Sequence, residues 1–136
     1  LRIAREPDRA DDLAALQRIR IDTSLWSQAK RPANNPAAYA YCRQTNEAGH
    51  HFHARMFAPG LGIAEDPATG SAVAAFAGAV MSFERPGDGE HRFVVEQGYE
   101  MGRPSQIVLE LTVADGVLVS ARIGGSAVVV SEGALL

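Results

Sequence analysis

Glu65-Asp66-Pro67-Ala68-Thr69-Gly70-Ser71-Ala72-Val73-Ala74-Ala75-Phe76-Ala77-Gly78-Ala79-Val80-Met81 is the stretch whose reading decides the fold of this chain. Residues 72–81 carry no charge, and a helix apolar all round belongs inside a protein rather than on its surface. The run is too short for a bilayer, which needs about 20 apolar residues. Asp66, Thr69 and Ser71 stand where a helix leaves its first amides unpaired, and either Thr69 or Ser71 would serve as the cap. Gly70 lets the backbone turn, so the amides of Gly70, Ser71 and Ala72 would face a carboxylate or phosphate with the helix dipole behind them. Two readings stay open on this pattern alone. One is an anion-holding helix start with Asp66 beside it; the other is a capped core helix whose Asp completes the turn.

The 136-residue, 14.5 kDa chain has the length of one domain with a core of its own. Its net charge is −3 and its 13 Lys and Arg are scattered without a basic stripe, which argues against nucleic acid. Cys42 is the single cysteine, so no intramolecular disulfide is possible and a reducing compartment fits. Arg2, Arg5, Glu6 and Asp8 occupy the positions where a signal peptide would be apolar, and a cytoplasmic location is expected. The first residue is Leu1 rather than Met, which leaves a processed or truncated polypeptide open.

Away from the central run the pattern is strand-rich. Residues 1–4 suit a short strand, and residues 7–20 a helix, with Pro7 and the acids Asp8, Asp11 and Asp12 in its first turns and Leu13, Leu16 and Ile19 at helical spacing. Periodicity fades over residues 21–36, where Pro32, Asn34, Asn35 and Pro36 mark a loop. A strand over 38–43 leads through Thr45-Asn46-Glu47-Ala48-Gly49 into a second over 51–57. That second strand carries Phe52, Ala54 and Met56 on one face and His51, His53 and Arg55 on the other. Further β-branched runs cover 92–97, 107–113, 117–123 and 127–131, and Asp115-Gly116 is a two-residue hairpin signal. The expected class is α+β: a curved, mostly antiparallel, barrel-like sheet around a buried central helix.

Other candidates are weaker. His50, His51 and His53 lack a third ligand at a diagnostic spacing, so a polar strand face is preferred to a metal site. Cys42 lies among Tyr39 and Tyr41 with Arg43 as its one basic neighbour, and reads as a packed thiol rather than a nucleophile. Gly98, Gly102 and Pro104 would either line a ligand mouth or turn between strands, the second being preferred, and Arg103 reads as a solvated loop arginine or a carboxylate partner.

Several segments resemble the phenazine-biosynthesis PhzF-like family, which has the diaminopimelate epimerase-like fold. They are Arg55-Met56-Phe57-Ala58-Pro59, Gly62-Ile63-Ala64-Glu65-Asp66-Pro67-Ala68-Thr69-Gly70-Ser71-Ala72, Glu96-Gln97-Gly98 with Met101-Gly102-Arg103-Pro104-Ser105, and Ile123-Gly124-Gly125-Ser126-Ala127-Val128. They fall in family order over residues 38–133, and the match is to the C-terminal half of such proteins. The resemblance implies two similar halves, each a curved sheet around a helix, with the active site in the cleft between them. It implies a catalytic role for Asp66 and a carboxylate-binding role for Gly70, Ser71 and Ala72. Related epimerases carry a cysteine at this helix start, so its absence here argues against a two-thiol mechanism. The family's principal acid/base is a glutamate of the other half, a role that Glu65 does not inherit.

The implied function is the C-terminal domain of a cofactor-independent, metal-free isomerase that transfers a proton on a small carboxylated metabolite. The missing N-terminal half would be its partner. The alternative is an inactive half-domain that binds a ligand or partner, including a second copy of itself in a homodimer. Neither nucleic acid nor membrane is an expected partner.

Overall fold

The computed structural model describes residues 2–3, 13–28 and 37–134, with the side chains of residues 2, 3 and 28 excepted. In chain order the elements are β1 (Arg2–Ile3), α1 (Leu13–Gln17), α2 (Thr23–Gln28), β2 (Ala38–Cys42), β3 (Phe52–Ala58), β4 (Ile63–Asp66), α3 (Gly70–Ala79), β5 (Gly89–Gln97), β6 (Ser105–Ala114) and β7 (Val117–Gly125). A π-helical turn, Val80–Glu84, extends α3, and short 3-10 turns follow β3 and β5.

The strands form one open sheet in the order β1-β2-β3-β5-β6-β7, with β4 beside β3. Most neighbours are antiparallel, but β1 with β2 and β3 with β5 run parallel. The β6–β7 hairpin follows from local chemistry. Asp115 (φ 52°) and Gly116 (φ 71°) both take the left-handed conformation that a two-residue turn between twisted strands requires. The carboxylate of Asp88 accepts from both turn amides, at 3.1 and 2.9 Å. Along β6, Ile107, Leu109, Leu111 and Val113 are buried at every second position, as a sheet with one covered face demands.

The structure corrects the polar face expected for residues 51–57, since all seven residues of β3 are buried. The reason is position. β2 pairs along one edge of β3, while β5 takes the first half of the other edge and β4 the second, so β3 is the centre of the sheet. His53 and Arg55 are interior residues and must find polar partners there.

Phe76 is the hub on the other face. Its ring lies 5.6 Å from Tyr39, 4.6 Å from Tyr41 and 5.1 Å from Phe52 in tilted and edge-on contacts. Ala72, Val73, Phe76, Ala77 and Ala79 of α3 are buried with it. The expectation that this helix is covered on every side is not met among the described residues. Ser71, Ala74, Ala75 and Gly78 are exposed, because the sheet is open and covers one flank of the helix.

Other expectations shift as well. No strand forms over 127–131; Val129 and Val130 are each 90% exposed, and β6 is the neighbour that β7 has among the described residues. A β-branched run supplies propensity, but a strand also needs a partner for its amides. Residues 21–36, read as aperiodic, include α2, whose start is capped by Asp22: its Oδ1 accepts from the Ser24 and Leu25 amides at 2.9 and 3.0 Å. The helix expected over 7–20 is present as Leu13–Gln17, and its residues 7–12 lie outside the described residues, as do Lys30, Arg31 and the loop at 32–36. Among the described residues no helix is long and apolar enough to cross a membrane.

Candidate active site

The turn from β4 into α3 is held from four sides. Asp66 ends β4 half-buried, and its Oδ2 accepts a hydrogen bond from the Thr69 hydroxyl. Gln97, fully buried at the end of β5, donates through Nε2 to the Asp66 carbonyl at 2.7 Å and to Thr69 Oγ1 at 2.9 Å. Ser105, the first residue of β6, donates from its hydroxyl to the Pro67 carbonyl at 2.6 Å. Gly98 closes the fourth side at φ 81°. A Cβ there would sit 2.3 Å from the Arg103 carbonyl and 2.7 Å from that of Pro67, so the approach admits no side chain.

Thr69 occupies the N-cap position of α3, yet its side chain makes no capping hydrogen bond. Its hydroxyl is committed to Asp66 and Gln97 instead, so of the two expected caps, Thr69 or Ser71, Thr69 holds the position without making the side-chain bond. The first-turn amides of Gly70 and Ser71 therefore begin a ten-residue helix without a cap from that hydroxyl. Ser71 is exposed and Gly70 half-buried, whereas Ala72 is buried and its amide turns back to the Thr69 carbonyl at 3.1 Å.

A groove of about 530 Å³ opens beside this helix start, between Ala68 and Gly70 on one side and Pro104, Ser105, Ile123 and Gly124 on the other. Three sequence segments far apart in the chain thus meet at one place. Of the residues weighed between a ligand mouth and a strand turn, Pro104 lines the groove, whereas Gly98 is the contact that seats β5 against Pro67. The Arg103 side chain is exposed, and its backbone does the bracing, with its amide on the Gly98 carbonyl at 3.0 Å.

A second polar cluster lies on the opposite face of the sheet, and sequence reasoning missed it. Glu96 alternates with Gln97 on β5 and so points away from the groove. Its carboxylate, fully buried, accepts from the Asn46 and Glu47 amides at 2.8 and 2.7 Å, and faces ring nitrogens of His50 at 2.7 Å and His53 at 2.9 Å. Burial pushes this carboxyl up, but the bonds from His53, the Asn46 amide, His50 and the Glu47 amide together outweigh it and hold it down to about 2. The other ring nitrogen of His53 faces Glu100 Oε1 at 2.9 Å. His51 turns elsewhere and accepts from the Val94 amide at 3.0 Å. His50, in the loop between β2 and β3, and His53, on β3, both face Glu96, which with the Asn46 and Glu47 amides pins that loop to β5. Arg55 completes this side, pairing with both oxygens of Glu65 at 2.8 Å and donating to the Leu16, Gln17 and Ile19 carbonyls at the end of α1. The Glu65 carboxylate raises its already high pKa further. The available signal was the placement of His53 and Arg55 between apolar neighbours on a central strand, with Glu96 closing a β-branched run. Cys42 is buried, with its thiol 3.2 Å from the Gln44 carbonyl. Among the described residues no group of three or more His, Cys, Asp and Glu is arranged to hold a metal ion.

Comparison with known proteins gives a consistent set of relatives. The family profile described as PhzC-PhzF, phenazine biosynthesis-like protein, matches residues 10–133. A protein from Mesorhizobium japonicum described as an uncharacterized isomerase is 54% identical over 127 residues, which cover 91% of this chain and 42% of that protein. An uncharacterized isomerase from Deinococcus radiodurans is 32% identical over 90% of this chain and 39% of its own length. The trans-2,3-dihydro-3-hydroxyanthranilate isomerase of Pseudomonas aeruginosa is 33% identical over 63% of this chain and 31% of its own. The chain thus spans about two fifths of the length of the first two relatives. Among solved structures, a PhzF-family phenazine biosynthesis protein from Bacillus anthracis superposes with a TM-score of 0.53 at 24% identity, over 65% of this chain and 34% of that one, which speaks to the fold.

Proposed function

The chain belongs to the PhzC-PhzF family of phenazine biosynthesis-like proteins, and from that membership we propose that it supplies the C-terminal half of a cofactor-independent isomerase. The reaction is the transfer of a proton within a small carboxylated substrate. The observation that carries this reading is the opening of a groove of about 530 Å³ onto Gly70, at a helix start not capped by its Thr69, with the Asp66 carboxylate tied to that turn through the Thr69 hydroxyl. The amides of Gly70 and Ser71, with the dipole of α3 behind them, neutralise the substrate carboxylate, and such preorganised donors add stabilisation as charge develops. Asp66, with one oxygen engaged by Thr69, uses the other to hold or polarise the substrate. The principal acid/base belongs to the further length that such proteins have beyond this chain. In the complete protein the exposed flank of α3 at Ala74, Ala75 and Gly78 is covered, and the sheet closes around it as a central helix.

Solvent exchange in deuterium oxide tests the proposal on the full-length protein, with trans-2,3-dihydro-3-hydroxyanthranilate, the compound in the name of the Pseudomonas aeruginosa relative, as first probe in a panel of small carboxylates. Asp66→Ala is expected to lower kcat/KM by about 10² to 10³, the range for loss of one preorganised polar contact to the reacting substrate. Undiminished activity removes Asp66 from the mechanism. Absence of exchange across the panel favours a non-catalytic binding module.

A further inference from the structure

Gln97 touches neither the groove nor the Asp66 carboxylate, yet its orientation is forced. The Asp66 carbonyl can only accept, so the Gln97 side-chain atom 2.7 Å from it is the amide nitrogen. One of its two protons goes to that carbonyl and the other to Thr69 Oγ1 at 2.9 Å. With that acceptor position filled, Thr69 gives its single proton to Asp66 Oδ2. A threonine at an N-cap otherwise turns its oxygen onto the amides of the first helical turn, and that cap is absent here.

We propose that Gln97 is a positioning residue that draws the Thr69 hydroxyl off the start of α3, keeping the Ser71 amide, which an N-cap hydroxyl would otherwise take, open beside that of Gly70 to a substrate carboxylate and anchoring Asp66 by one oxygen. The inference rests on the reading of the helix start as the carboxylate site. It also identifies a local conflict between stability and binding: the same hydroxyl either caps the helix or leaves it free for a ligand. Gln97 is fully buried, so water cannot take over its two donations, and the choice is made by a side chain from a different strand.

The test is a double substitution on the ¹⁵N-labelled full-length protein, with acetate as the probe and the Gly70 and Ser71 amide shifts as the readout. Gln97→Met fills the same space without donors and lets Thr69 relax onto the helix. Acetate binding should weaken about fivefold to tenfold, the equivalent of displacing a capping hydroxyl. Adding Thr69→Val removes the competing hydroxyl, so binding in the double variant should return to within about twofold of the parent. A purely structural role for Gln97 predicts further loss in the double variant, and that result overturns the proposal. So does Gln97→Met binding acetate as the parent does. Gln97→Leu, which is apolar and offers no donor, repeats the comparison if the methionine variant folds poorly. Three-bond couplings of Thr69 supply a readout that needs no ligand: its χ1 rotamer should change in Gln97→Met, and an unchanged rotamer overturns the proposal. Failure of acetate to shift the Gly70 and Ser71 amides in the parent, with the rotamer change intact, overturns the carboxylate-site reading and with it the substrate-facing role of Gln97.

Discussion

Glu96→Gln is the most informative single change outside the groove. The carboxylate takes two backbone amides and faces two histidine nitrogens, and an amide in its place would turn an N–H toward one of those two sets of donors. The folded-state pKa of about 2 against an ordinary 4.5 corresponds to on the order of 3 kcal/mol of stability at pH 7. Because the folded value is depressed, that stabilisation is present above pH 4.5 and is lost as the pH falls toward 2. About 2 kcal/mol of it should be gone by pH 3 in the parent protein. Urea denaturation of parent and variant at pH 7 and pH 3 measures both quantities. The variant should be less stable by about 2–4 kcal/mol at pH 7, and its own loss on acidification should be smaller than the parent's by about 2 kcal/mol. A variant within about 0.5 kcal/mol of the parent at pH 7, or one with the same acid dependence, would show that Glu96 does not hold the loop as described.

Three further changes probe the scaffold. Phe76→Ala empties the centre of the aromatic cluster and should cost about 3–5 kcal/mol in chemical denaturation; a cost below about 1 kcal/mol contradicts the packing described for Tyr39, Tyr41 and Phe52. Gly98→Ala forces a Cβ into the Arg103 and Pro67 carbonyls at a positive φ, so destabilisation of about 3 kcal/mol is expected together with shifted Gly70 and Ser71 amides in NMR spectra, and parent-like spectra refute the contact. Arg55→Met strips the α1 carbonyls and leaves Glu65 unpaired, which should cost about 3 kcal/mol by thermal or urea unfolding; parent-like stability means that the buried pair is dispensable.

The sequence was most legible where local chemistry is sufficient. Asp115-Gly116 fixes its hairpin because both residues tolerate a positive φ, and residues 70–79 form a helix with Ala72, Val73, Phe76, Ala77 and Ala79 buried. The resemblance seen over residues 38–133 is borne out by the family match to residues 10–133. Legibility failed where the deciding partner lies far along the chain. Alternation in β3 reads as one wet face until β2, β4 and β5 are known to flank it, and Val128 to Val130 read as a strand although no ladder receives them among the described residues. Asp22-Thr23-Ser24 carries a helix-start signal, but α2 has only six residues and little apolar periodicity to extend it. Gln97 is the sharpest case. A glutamine ending a strand carries no local signal of its partners, which are 31 and 28 residues away in sequence.

The parallel seam between β3 and β5 has a kinetic meaning. The β5–β6–β7 meander can assemble from neighbours in sequence, but Phe52–Ala54 reach Val95–Gln97 only after the chain between them has passed through β4 and α3. Bringing such distant segments together carries the larger loop-closure cost, so this seam is expected to form after the hairpins. Every clamp on the turn at residues 66–69 that crosses from Gln97, Gly98 or Ser105 lies on the far side of that seam. A chain that has made its hairpins but not its seam has Asp66 in its sequence and no braced turn at the start of α3, so an ordered groove reports that folding has gone to completion.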